Sequence, residues 1–155
     1  MEQTSTSSRE FSLESLRRRR AELRDSMNAL EDALAAPTAG DHDRWAGRVE
    51  AALMELSADF REHIGITEGD NGLYQELLET APRLSDAVAR LTGEHAEIDK
   101  LIDEALASDT AHEPDRDLER VRDLGTALLG RLVRHRQRGA DLVFEAYEFD
   151  IGGET

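Results

Sequence analysis

The chain contains no cysteine. That absence removes disulfides, thiolate metal ligands and cysteine nucleophiles at once, and with them every redox mechanism built on sulfur. Aromatic residues make up only 5% of the chain, which argues against a strand-rich fold. No apolar run approaches the roughly 18 residues a membrane span needs. The basic tract Arg17–Arg20 leads into "AELRDSMNAL" rather than the apolar stretch of an export signal. Positive charge is also short, at 19 Lys and Arg against 34 Asp and Glu, for a formal charge of -15. Such a surface repels nucleic acid and anionic membranes. No Gly-rich phosphate loop, nucleophile elbow or HExxH pattern occurs. Together these absences predict an acidic, cytoplasmic protein with neither nucleic-acid nor membrane partners, and leave open whether it is an enzyme.

What the chain does have is helical periodicity. At 155 residues it suits one domain that buries roughly 70% of its unfolded surface. Residues 1–9, "MEQTSTSSR", are polar and Ser/Thr-rich, and read as a disordered tail. Residues 10–150 form the domain, and 151–155 a C-terminal tail. A first helix is expected from about Phe11 to Ala36, ending before "PTAGDHD". A second runs from about Asp41 to Ile66, where "EGDNG" interrupts it and "LYQELLETA" resumes helical spacing. A third starts at Pro82, which suits a first turn, and reaches about Ala107. After "SDTAHEPD" a fourth covers about Asp115 to Glu148.

Apolar positions recur by threes and fours, one seam per helix. Leu16, Leu23, Met27, Leu30 and Leu34 mark the first, and Val49, Leu56 and Phe60 the second. Leu84, Val88, Leu91, Ile98 and Ile102 mark the third, and Val121, Leu128, Leu132 and Leu142 the fourth. Sustained spacing of this kind with short connections predicts an all-α, antiparallel, up-down four-helix bundle. Trp45 is expected in the core at the start of the second helix. Tyr74, Tyr147, Phe144 and Phe149 are expected to pack the segment after "GDNG" against the end of the fourth.

Three of the five histidines interrupt these seams. His42 and His112 fall in expected loops, but His63, His95 and His135 stand where core residues belong. Residues level with each other on adjacent antiparallel helices have their sequence midpoint at the connecting turn. The midpoint of His63 and His95 is position 79, beside the turn at Thr80–Pro82. That of His95 and His135 is position 115, at the edge of the loop Ser108–Pro114. At 1.5 Å rise per residue, an error of two residues displaces a ring by only about 3 Å. Each unpaired buried ring costs on the order of 1–3 kcal/mol. A shared ligand offsets that cost, and so does a hydrogen-bonded polar cluster; both readings stand at this level. Glu94, Glu97 and Asp99 flank His95 off its seam and read as solvated carboxylates. The Arg17–Arg20 tract reads as an exposed charged face, with an anion- or partner-binding patch as the alternative.

The stretches "FREHIGITEGDNGLYQELLETAPRL", "LTGEHAEIDKLI" and "HRQRGADLVFEAYEFDIGG" resemble the hemerythrin-like, or HHE cation-binding, family from about Leu13 to Glu154. The resemblance implies a four-helix bundle whose histidines and carboxylates hold iron, and a role with dioxygen, nitric oxide, peroxide or redox state. It implies ligand positions at His63, His95 and His135. The family pattern also has a histidine on the first helix and a carboxylate four or five residues after the second-helix and fourth-helix histidines. Here Thr67 and Gly139 stand four residues on, with Glu68 and Ala140 five on. On a regular helix a step of five turns a side chain about 140° away. Glu68 therefore reaches His63's metal only if the helix breaks, and Asp141 needs a similar irregularity. The first helix offers Arg20, Leu23 or Met27 toward the rings, none of them a histidine. Three imidazoles, with Glu68 as an optional fourth ligand, suffice for one iron or zinc ion. A di-iron site is disfavoured, while haem ligation stays open. The expected role is handling or sensing a small diatomic or redox species. The alternative is a metal-free bundle serving as an interaction or regulatory module, with a protein partner or a second copy.

Overall fold

A computed structural model describes the backbone of residues 2–112 and 114–149, and the side chains of residues 14–112 and 114–147. It is all-helical. α1 spans Glu2–Ala35, α2 His42–Glu68, α3 Leu73–Thr80, α4 Ser85–Asp109 and α5 Leu118–Phe144. A 3₁₀ turn at Pro82–Leu84 leads into α4, and a π-helical turn at Glu145–Phe149 follows α5. Helical backbone thus covers residues 2–9, which composition assigned to a tail; the 151–155 tail lies outside the described residues. His42, expected in a loop, opens α2.

Local chemistry sets the boundaries. Asp41 caps α2 by accepting from the Arg44 amide, and Asp117 caps α5 by accepting from that of Arg120. Between α2 and α3, Asn71 takes a left-handed conformation at φ 60°. Gly72 follows where a Cβ would lie 2.5 Å from the Ile66 carbonyl oxygen. Only glycine lets the backbone pass that close, so "GDNG" folds α3 back toward the end of α2.

α1 packs on α2 and α5, and α4 packs on α2 and α5. This closes the four-helix square expected from the seams. The predicted seam residues fill it, with Leu30, Val49, Leu56, Phe60, Ile102, Leu128 and Leu132 fully buried and Trp45 2% exposed. A second apolar cluster of Tyr74, Leu77, Ala81, Leu84, Val88, Leu91, Leu142 and Ala146 lies beyond the main core. It is the lid of the bundle, made when α3 folds across the α2 end. Phe144 departs from expectation: it stands 66% exposed because the four-step seam of α5 passes through Leu142 and Ala146 on the other side. The side chain of Phe149 lies outside the described residues. Among the described residues no helix is long and apolar enough to cross a membrane.

Candidate metal centre

The three seam histidines meet between the main core and this lid. Nε2 of His135 lies 3.3 Å from Nε2 of His63 and 3.1 Å from Nε2 of His95. Ring centroids are 4.8–5.4 Å apart. Phe60, fully buried one turn before His63, forms a common floor, stacking on His63 and presenting edges to His95 and His135. His95 and His135 are each 2% exposed, and His63 is half-buried.

Two of the rings are held from behind. Nδ1 of His95 lies 2.6 Å from Glu68 Oε2, and Nδ1 of His135 lies 3.0 Å from Glu94 Oε1. An ionised carboxylate only accepts, so each Nδ1 carries the proton and each Nε2 presents its lone pair inward. Two lone pairs facing across 3.1 Å repel unless a cation stands between them. Carboxylate-backed imidazoles are also the usual support of histidine metal ligands. Arg138 in turn pairs with the other oxygen of Glu94, fixing its plane.

Burial discourages protonation as the way to relieve that repulsion. Burial first, then the charges of His95, His135, Arg20 and Arg136, push His63 down to about 3. Burial likewise lowers His135, opposed by its hydrogen bond to Glu94. His63 and His135 therefore stay neutral at neutral pH, the state in which imidazole binds a metal. Donors around a tetrahedral ion at about 2.0–2.1 Å lie about 3.3–3.4 Å apart; the two Nε2 separations already approach that edge length. Nε2 or Nδ1 atoms of these three histidines form one group within 4.8 Å of each other. By spacing and donor type the set fits a cation.

Sequence reading missed two participants. Tyr74 was expected to serve only as packing. Its hydroxyl lies 3.3 Å from His95 Nε2, and its ring stacks on His95 at 5.7 Å. Burial raises its phenol well above the ordinary range, opposed by Thr67 and Arg20 and reinforced by Glu68 and Glu94, so it is a neutral hydroxyl beside the imidazoles. No sequence spacing pointed to it, because α3 reaches the rings only by folding back. Glu94, assigned to the solvated face, is in fact 14% exposed on its side chain and serves His135 on the neighbouring helix. Its step of one residue before His95 points it across to α5. Glu97 does face solvent, paired with Arg131, whereas Asp99 is half-buried and its Oδ1 has no hydrogen-bond partner among the described residues.

The other expected residues separate. α2 stays helical through Glu68, and the turn of about 140° from His63 carries this carboxylate to the outer nitrogen of His95 rather than to the point where Nε2 atoms meet. Asp141 is exposed and accepts from Gln137 one turn back, so it faces away from the rings. A cavity of about 20 Å³ adjoins His63 and His135, with Arg20 and Leu23 of α1, Thr67, Tyr74, Arg136 and Gly139 in its wall. Met27 belongs to the main apolar core instead. Among the described residues no Asp or Glu lines this cavity. The Thr67 hydroxyl donates to the His63 and Ile64 carbonyls of its own helix, which turns its proton away from the rings.

Set against known proteins, the chain matches one family model, that of the hemerythrin HHE cation binding domain, over residues 12–147. Comparison with curated proteins and with solved structures gave no match.

Proposed function

Because the chain belongs to the hemerythrin HHE cation-binding family, we propose that it binds a single transition-metal ion through His63, His95 and His135 and serves in sensing or handling oxygen-derived or redox species. The observation that carries this reading is the meeting of three inward Nε2 atoms, two of them backed by carboxylates at 2.6 and 3.0 Å. Imidazole donors suit iron and zinc alike, and the family favours iron. The donor set supports one ion rather than two. A second ion requires bridging carboxylate, and the adjoining cavity presents arginine, threonine and glycine in its place. A cavity of about 20 Å³ also favours an ion over a haem, since cofactor pockets run to roughly 300–1,000 Å³.

Each protein group has a definite task. His63, His95 and His135 supply the lone pairs. Glu68 and Glu94 fix the tautomer and hold the Nδ1 protons, which raises the basicity of Nε2; Glu68 is thus revised from ligand to supporting carboxylate. Tyr74 supplies either a fourth donor or a hydrogen-bond donor to a ligand beside His95. Phe60 and the apolar lid exclude water. A bound iron or zinc ion would supply a Lewis-acidic centre, redox-active in the case of iron, with an open position.

Elemental analysis and visible absorption of protein purified under reducing conditions test this reading. About one metal per chain, abolished in His95→Ala, is the expected result. Metal-free, colourless protein whose stability is unchanged in His95→Ala would instead establish an interaction or regulatory bundle.

A further inference from the structure

α5 carries two seams. The inward one, through Leu128, Leu132, His135 and Leu142, fills the bundle. The outward one runs through Thr126, Gly130, Val133, Gln137, Ala140 and Phe144, again in steps of four and three. At about 100° per residue it is turned roughly 150° from the first, so the neighbouring helices α1 and α4 leave it open. Gly130 is half-buried and the other five are exposed, Val133 by 58% and Phe144 by 66%. A groove of about 450 Å³ between α1 and α5, lined by Leu34, Ala35, Leu129 and Val133, widens the stripe on one side. In a chain that is 34% charged, about five turns of solvent-facing helix hold no charge along this line. Solvation requires no such order, whereas three/four spacing of uncharged residues is the pattern by which one helix packs on another.

The charges beside the stripe identify what covers it. Along its other edge stand Arg131, Arg134 and Arg138, followed by Asp141 and Glu145. A block of cations followed by a block of anions is complementary to its own reverse. Two copies of α5 laid antiparallel about an axis near residue 138 set Arg134 against Asp141 of the second copy, and Arg131 against Glu145 of the second copy. To within one residue, the same axis sets Val133 against Phe144 of the second copy, and Gln137 against Ala140 of the second copy. A parallel pair would instead set arginine beside arginine, which costs rather than gains. Arg131 and Arg138 already pair with Glu97 and Glu94 of their own chain. Arg134 has no carboxylate within ion-pair distance among the described residues.

We propose that the outer face of α5 is a dimer interface, on which a second copy of this chain packs its own α5 antiparallel about a two-fold axis near residue 138. Such an interface uses the same patch on both copies, so it closes at two and leaves neither stripe exposed. Gly130 and Ala140 carry little side chain, which lets the two helix axes approach toward the short end of the usual 8–10 Å range. The interface needs no metal and stands apart from the metal reading.

Sedimentation equilibrium of the full chain over a wide concentration range tests this. The expected result is a reversible monomer–dimer equilibrium. Val133→Glu places a charge on the stripe at a position already exposed, so the fold tolerates it, and it weakens dimerisation roughly tenfold or more. Arg134→Glu and Asp141→Arg each weaken it as well, and the double variant recovers it because the pair is restored with its signs exchanged. Met54→Glu, 59% exposed on α2 diagonally across the bundle, leaves it unchanged. Because the chain has no cysteine, single cysteine variants report the register. With a short bismaleimide, Gln137→Cys cross-links to its own copy. Thr126→Cys, whose two copies stand about 36 Å apart in the antiparallel pair, does not. The proposal is overturned if the chain stays monomeric throughout, or if Met54→Glu weakens the dimer as much as Val133→Glu. It is equally overturned if the double variant does no better than the single ones, or if Thr126→Cys cross-links as readily as Gln137→Cys.

Discussion

The two ends of this bundle bury polar side chains in opposite ways. At the lid end, His95 and His135 are each 2% exposed, yet both Nδ1 atoms meet a carboxylate and both Nε2 atoms converge on a third ring. Fourteen residues along α4, about 21 Å away at 1.5 Å per residue, Asp109 is 1% exposed. Neither of its carboxylate oxygens has a hydrogen-bond partner among the described residues, and the same holds for Trp45 Nε1. Arg116 comes near but spends its donors on the Asp109 backbone carbonyl and on Asp43. Burial therefore raises Asp109 to about 6, with Glu50 adding to the rise and Arg116 opposing it. Burial of a polar group is common to both ends. What distinguishes the candidate centre is that each buried ring is oriented from outside and aimed at a shared point.

The largest way to break this contrast is to remove an aimed ring. His95→Ala should abolish stoichiometric metal, as measured by elemental analysis, while Asp109→Asn should leave metal content untouched. Removing an orienting group has a smaller effect. Glu94→Gln should weaken metal affinity about 10–100-fold in competition with a chelator, the usual cost of losing an outer partner, and leave the fold intact by circular dichroism.

Proton linkage sharpens the comparison further, because the two ends carry opposite signs. His63 is lowered from 6.5 to about 3, so between those values the unfolded chain binds the extra proton, and the metal-free protein loses stability as pH falls from 6.5 toward 3. Asp109 is raised from 3.8 to about 6, so the folded state binds the extra proton, and its contribution is present below 3.8 and lost as pH rises through 6. Asp109→Asn should therefore stabilise the protein at pH 7 by on the order of 2–3 kcal/mol. That gain should vanish near pH 4, which urea unfolding at the two pH values measures. An equal gain at both would show that Asp109 is not the group being titrated.

Much of the fold was legible because the bundle repeats one rule. Three/four spacing forces one face of each helix inward, and the residues on it were the ones found buried. The level of the histidines was legible for the same reason, since short turns tie the register of neighbouring helices to sequence midpoints. Glu94 and Tyr74 were not legible. The first acts across a helix pair, on His135 rather than on its own neighbour His95. The second arrives on a short helix whose direction is set by the close backbone passage at Gly72.

The sequence alone determined that four amphipathic helices would bury a common seam and that imidazoles would interrupt three of those seams, because helical period and turn length are local properties. Only the tertiary structure decided which nitrogen each ring turns inward, which carboxylates stand behind, and that Arg20 rather than an acidic group occupies the space beside Gly139. Those outcomes depend on contacts between helices, where the angle of one side chain is set by the volume and charge that another helix brings against it.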